Sequence, residues 1–365
     1  MSDNLRRYCA IKSAMRRLTG KEPQGNQARH ISTLAALISG IVGGKSTSLP
    51  EIAKKVPDRT RSESRVKRYS RWVANERIDY ETYYQPYAEA VLESLAAQAL
   101  VLVIDGSEVG RKCLSLMVSV VYQGRSLPIA WIVVKGNKGH FPEDIHIELV
   151  EQVQKLVPEG AQVIFLGDGE FDGTTLQATV DNYGWEYVCR TAQNTILNEA
   201  GNAFAFADVD VSPGSCISLP DVLFTQDNYG PIHAIAWWRK GYQEPIYLVS
   251  NMELAAEACF WYKKRFRIET FFSDQKSRGF NLHKSHLADP IRIFRLMFAA
   301  CLAYIWIVFL GASAMQDGLS KIIHRSDRCD ISLFQMGLRA LEHFLNQGLP
   351  IPVAFRVPSV PESVR

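Results

Sequence analysis

Tyr262, Arg265, Glu269 and Lys276 are the residues best equipped for chemistry in this 365-residue chain. They stand at i, i+3, i+7 and i+14. At roughly 100° per residue, one α-helix would project them at about 0°, 300°, 340° and 320°, inside a single stripe of one face. A carboxylate flanked by an arginine, a lysine and a phenol suits metal-assisted chemistry on a polyanion. The carboxylate can hold a divalent cation, and the cations and the phenol can grip phosphate oxygens. The same spacing also describes a solvated helix face laced with ion pairs. The choice falls to the elements that would bring further acids to Glu269.

Those elements begin near residue 99. LVLVIDGS (100–107) is a short apolar β-type run that closes on Asp105. CLSLMVSVVY (113–122) and SLPIAWIVVKG (126–136) follow as strands, with Gln123-Gly124-Arg125 as the hairpin turn. Pro142 opens a helix through EDIHIELVEQVQKLV. QVIFLGDG (162–169) then reads as a buried strand ending in Asp168, followed by a helix over 173–183 and a strand over 185–191. Hairpin strands followed by alternating helix and strand predict a mixed α/β sheet. Strand ends in such sheets are where sites are built. If the strands of Asp105 and Asp168 are neighbours, their carboxylates converge, and Glu269 can supply a third. Three clustered carboxylates stay ionised only beside cations, the setting for a pair of divalent ions at phosphorus. Either aspartate taken alone is equally a turn residue. Glu170 and Asp172 add acid beside Asp168, either to tune that pocket or as solvated turn residues. His140, Glu143 and His146 have a ligand-like look, but their spacing matches no strong zinc pattern and reads as a capped helix start.

The N-terminal segment is basic and helical. Residues 1–98 carry 17 Lys/Arg against 10 Asp/Glu, residues 99–250 carry 9 against 18, and residues 251–365 carry 15 against 10. Basic surface suits a polyanion and concentrated carboxylate suits divalent metal. Ser48-x-x-Glu51 and Thr60-x-x-Glu63 are capping-box spacings. They predict a short helix, a break at Pro57-Asp58-Arg59, and a basic second helix carrying Arg61, Arg65 and Arg68, in the manner of a helix-turn-helix. Gly43-Gly44-Lys45-Ser46 mimics the end of a phosphate-binding loop, yet Ser39 stands where the first glycine is needed and an apolar helix precedes it. Seven scattered cysteines without a Cys-x-x-Cys pair suit a reducing cytosol. The N-terminus has no apolar signal core. Residues 296–315 approach membrane-spanning length, but they follow the Glu269 helix where a sheet needs a cover, which predicts a helix buried all round.

With these motifs in place, the chain resembles bacterial insertion-sequence transposases with an Asp-Asp-Glu triad, in the insertion-sequence-four family marked by Tyr-x2-Arg-x3-Glu-x6-Lys. Tyr262, Arg265, Glu269 and Lys276 match that signature without gaps, and VIDGSEV and GDGEFDG match at Asp105 and Asp168. The resemblance implies a ribonuclease-H-like α/β core with a β-rich insertion before the glutamate, and an N-terminal all-helical DNA-binding region. It divides the chain into 1–98 (helical), 99–195 (first part of the core), 196–244 (strand insertion), 245–315 (second part of the core) and 316–365 (helix and Pro-rich tail). By resemblance, Asp105, Asp168 and Glu269 bind two Mg²⁺ (or Mn²⁺) ions. Arg265 and Lys276 clamp phosphates, Tyr262 bonds the backbone, and Trp237 or Trp238 stacks on a flipped base. The implied partner is double-stranded DNA, both terminal inverted repeats and target, bound by a homodimer on paired ends in the bacterial cytoplasm at the nucleoid, away from membranes. The implied activity is strand cleavage and transfer through a hairpin. The alternatives are a transposase-derived DNA-binding protein that no longer cuts, and a metal-dependent nuclease that does not join strands.

Overall fold

In the computed structural model, residues 1–18, 23–136 and 140–358 are described. Residues 1–98 form helices α1 (Asp3–Leu18), α2 (Gly25–Gly44), α3 (Leu49–Lys54), α4 (Ser62–Ala74), α5 (Tyr80–Tyr83) and α6 (Gln85–Leu95). The core sheet opens with β1 (Leu100–Gly110), β2 (Cys113–Tyr122) and β3 (Arg125–Lys135), an antiparallel meander. Gln123 and Gly124 turn β2 into β3 with φ of 43° and 76°, the left-handed pair that a tight hairpin requires. Helix α7 (Glu143–Gln154) crosses over to β4 (Val163–Gly167), which runs parallel to β1. Helix α8 (Thr174–Asn182) crosses to β5 (Glu186–Thr191), parallel to β4. The order 3-2-1-4-5 with these directions is the ribonuclease-H-like core that the resemblance implies.

The insertion is β-rich, as expected: β6 (Ile196–Glu199), β7 (Asn202–Ala205), β8 (Cys216–Phe224) and β9 (Tyr229–Trp237). Strand β10 (Ile246–Ser250) pairs antiparallel with β5 on one side and β9 on the other. Core and insertion therefore share one ten-stranded sheet among the described residues, ordered β3-β2-β1-β4-β5-β10-β9-β8-β6-β7. Tyr229-Gly230-Pro231, for all its turn-like composition, lies inside β9. Thr225 and Asn228, with φ of 64° and 53°, make the reversal.

After β10 come α9 (Ala255–Tyr262), α10 (Arg267–Gln275), α11 (Pro290–Gln316), α12 (Ser320–Ile323) and α13 (Leu333–Asn346). Helix α11 is the one described helix long and apolar enough to cross a membrane, and 89% of its most apolar window is buried. Asp289 caps it, accepting from the Arg292 N–H at 2.8 Å, and Pro290 occupies its first turn. The helix packs on β3, α2, α4 and α13. It crosses α13 where Gly311 and Gly337 let the two backbones touch, since a methyl on Gly337 would overlap the Ile307 carbonyl. Tyr80 and Tyr84 donate to the carbonyls of Ile129 and Pro128, and Tyr84 packs edge-on against Trp131 at 4.5 Å. The N-terminal helices are thus seated directly on β3.

Two helix starts differ in detail from the spacing. Ser48 is the N-cap of α3, but its side chain makes no cap bond. Helix α4 begins at Ser62 with Arg61 as N-cap, because Asp58 captures the Thr60 N–H at 2.8 Å and draws Thr60 into the preceding turn. Arg65 donates to the Val56 and Asp58 carbonyls, and Arg68 pairs with Asp58 at 2.8 Å. Both side chains fasten the α3–α4 turn, while Arg61 is exposed. The phosphate-loop mimic is the C-terminal end of α2, with Lys45 in the left-handed cap position. Of the tail prolines, Pro361 lies outside the described residues.

Candidate active site

Strands β1 and β4 are neighbours, and their register sets the site. Leu100 faces Val163 and Val103 faces Leu166. Continuing that register two residues brings Asp105 opposite Asp168, across a strand spacing of about 4.8 Å. Asp168 follows the last residue of β4, as expected. Asp105 does not close β1. The strand runs on to Gly110 because β2 keeps pairing with it, Asp105 facing Met117. Asp105 nevertheless stands beyond the last paired residue of the parallel β1–β4 ladder.

Each aspartate divides its two oxygens the same way. Oδ1 of Asp105 accepts from the Gly106 N–H at 2.7 Å, and Oδ1 of Asp168 accepts from the Glu170 N–H at 3.1 Å. Both Oδ2 atoms face the Arg265 guanidinium, each 3.5 Å from the same nitrogen. They are therefore no farther apart than twice that distance. The second terminal nitrogen of Arg265 binds Glu269 Oε1 at 2.8 Å. One cationic group thus joins three carboxylates that lie far apart in the chain.

The signature residues reach this point in a way the helical projection did not foresee. No single helix carries them. Helix α9 ends at Tyr262, residues 263–266 form turns, and α10 starts at Arg267. Arg265 points inward from the break and Glu269 from the first turn of α10. Lys276 caps the far end of α10 and lines a small cleft together with Ser107 and Glu108 of β1. Tyr262 is buried and pushed up to about 12 by burial, against the pull of Arg265 and Arg190. Its phenol is therefore a neutral hydrogen-bond donor near neutral pH. Burial and then Asp168 push the Asp105 carboxyl up to about 7, with Arg265 opposing. The pocket carries more negative charge than one guanidinium relieves.

The donor set fits divalent cations: hard carboxylate oxygens converging where a cation already sits, on two aspartates whose other oxygens are fixed by backbone amides. Arg265 is the stand-in. With it in place, no group of three or more His, Cys, Asp or Glu side chains among the described residues is arranged as a metal cage. His140, Glu143 and His146 are split up. Both histidines approach Glu170, at 3.4 and 3.7 Å, while Glu143 accepts from the Leu176 N–H at the start of α8. Glu170 also accepts from the Phe141 N–H. Asp172 accepts from Thr191 on β5. These groups brace the loop behind Asp168.

Comparison with known proteins gives the family. The family model of the transposase DDE domain matches residues 97–306. The chain belongs to that family. Its members are enzymes of DNA cleavage and strand transfer that use divalent metal ions, and the matched stretch contains all three acids and the signature. No curated protein matches the chain. Among solved structures, the piggyBac transposase in a synaptic complex with hairpin DNA is similar at 12% identity, over 95% of this chain and 80% of that one, with a TM-score of 0.47.

Two site features escaped sequence reasoning. Arg190 of β5 bears on Tyr262 electrostatically, which only the β4–β5 register reveals. Trp237 ends β9 under the cations of Arg239 and Lys263, at 5.3 and 5.5 Å, so the insertion touches the α9–α10 turn that presents Arg265. Trp238 instead donates to the Tyr242 carbonyl.

Proposed function

We propose that this chain is a cut-and-paste DNA transposase of the insertion-sequence-four type, with Asp105, Asp168 and Glu269 as the catalytic acids. The meeting of three remote carboxylates on one cationic group carries the reading. Asp105 and Asp168 would hold Mg²⁺ or Mn²⁺ through their Oδ2 atoms, with Glu269 closing the set from the more open side. Two such ions would activate the attacking oxygen and stabilise the leaving one at phosphorus. The side chains themselves contribute position and charge. The Gly106 and Glu170 amides fix the aspartates before substrate arrives, which is the preorganisation that phosphoryl transfer rewards. Arg265 neutralises the acids and lies within reach of a phosphate brought to them. Tyr262 keeps its proton and donates to the DNA backbone. Lys276 acts from the end of α10 on a phosphate farther along.

In this reading one strand is cut at the element end, the freed 3′-hydroxyl attacks the opposite strand to give a hairpin, and the hairpin is reopened before joining to target. The DNA is double-stranded, the ends are paired by a homodimer, and the work is done at the bacterial nucleoid. Arg61 and the exposed face of α4, including Arg68, would contact the end, with Arg65 holding the turn that presents them. Trp237 or Trp238 would stack on an extruded base. A labelled element end tests all of this. Asp105→Asn, Asp168→Asn and Glu269→Gln should each abolish Mg²⁺-dependent nicking, hairpin formation and joining, with end binding largely kept. Cutting retained by any of the three would identify the wrong acids. Cutting without joining would leave a nuclease, and binding without cutting would leave a DNA-binding descendant.

A further inference from the structure

On the outer side of the α9–α10 turn lies a second feature that the cutting reaction does not use. A groove of about 1070 Å³ opens between the β2–β3 hairpin, the end of α6, the α9–α10 turn and the start of α13. Among the described residues its charged lining is Arg125, Lys264 and Arg267. Its aromatic lining includes Phe260 and Trp261. Phe260 is 47% exposed. Lys264 Nζ stands 4.9 Å from the centre of the Phe260 ring and 4.2 Å from that of Trp261. Arg125 is paired with Asp274 at 3.0 Å. Arg267 has no carboxylate at ion-pairing distance among the described residues, and its tip approaches Gly124 of the hairpin. The buried amide nitrogen of Gln123, also lining the groove, has no hydrogen-bond partner among the described residues.

Cations, aromatic faces and an unused amide donor together suit a ligand that is anionic and aromatic at once. A nucleic-acid strand with unstacked bases has that chemistry, since phosphates meet the cations and bases meet the rings. The volume is at the upper end of small-ligand sites, so it takes a few nucleotides of single strand and excludes a duplex. Residues 264–267 link the two sites: Arg265 faces the acids, while Lys264 and Arg267 face the groove. We propose that this groove binds a short unpaired DNA strand adjoining the cut end. The proposal rests on the transposase reading of the acid site.

The test is fluorescence anisotropy of the full-length protein on a blunt duplex and on the same duplex bearing a short single-stranded tail. The wild type should prefer the tailed duplex by about tenfold, the scale of one stacked base. Lys264→Glu with Arg267→Glu should remove that preference and leave blunt binding within about twofold. It should also lower the salt slope for the tailed duplex by about 1.4, two single-strand phosphate contacts. Trp261→Ala, a milder change, should lower tail affinity about tenfold with an unchanged thermal midpoint. No tail preference in the wild type overturns the proposal, as does equal loss on both substrates. Tail affinity that appears only after residues 359–365 are removed would assign the groove to the chain's own C-terminus, because the Pro358 carbonyl already accepts from Tyr122 at its rim. Blunt-end cleavage that persists without any tail preference defeats this inference alone. Failure to bind or cut any DNA defeats the reading beneath it.

Discussion

Arg265 is the side chain on which the resting site turns. Three carboxylates within its reach would otherwise repel one another, and in the proposed site its position is the one a cation would take. Cation binding and the Arg265 contacts are therefore in competition. Arg265→Ala should raise the affinity for Mn²⁺, read by electron paramagnetic resonance without DNA, by about tenfold, the scale of one charge-assisted contact. The same variant should cut element ends at least about a hundredfold more slowly, because the phosphate clamp is lost. Lys276→Ala should change Mn²⁺ affinity less and slow cleavage less, since Lys276 stands at the opposite end of α10 from Glu269. The meeting of Asp105 and Asp168 was legible in the sequence, because apolar runs ending in Asp-Gly announce strands that deliver a carboxylate. Their shared guanidinium was not, because it depends on a helix break. Residues 263–267, Lys-Lys-Arg-Phe-Arg, contain no glycine or proline to mark that break. Tertiary packing makes it, with Tyr262 and Ile268 buried on either side of an exposed Phe266.

At the scale of elements, α10 is held to the sheet by a buried ion pair as well as by apolar packing. Arg125 at the β3 start binds Asp274 of α10, whose side chain is 3% exposed. Burial pushes Asp274 up to about 6, outweighing the pull of Arg125. Its folded value thus exceeds its ordinary value of 3.8. The stability it contributes is present below about pH 4 and lost as pH climbs through 6. Urea midpoints should fall across that window, and Asp274→Asn should flatten that part of the profile. The α11–α13 crossing makes a second prediction. Gly337→Ala would drive a methyl into the Ile307 carbonyl, so it should cost at least about 2 kcal/mol in chemical denaturation. Helix–sheet alternation made most of these elements readable from residue patterns. The exceptions were decided by partners: β1 outlasted its expected end because β2 pairs along its length, and Thr60 lost its cap role to Asp58.

For the molecule as a whole, the buried α11 is the axis on which the N-terminal helices, the sheet and α13 are assembled. Its amides should be the slowest to exchange with deuterium, and they should lose protection together with the core strands rather than before them. A 27-residue apolar helix looks like a membrane span when read alone. Its placement directly after the glutamate helix argued for the interior, and its surroundings bear that out. The helical character of the N-terminal segment was readable from charge and periodicity, and the strand-rich stretch before the glutamate from the resemblance. The joining of core and insertion through β10 was not, because strand order across a long excursion leaves no local trace.

That shared sheet gives the far strands mechanical leverage. A load applied at β9 by a tightly held DNA end meets a regular backbone ladder to β10. It passes through β10 and β5 to β4, the strand whose tip carries Asp168. Twisting the outer edge would therefore shift the Asp168 carboxylate against that of Asp105, and strain in a bound DNA would tune how closely the two sit.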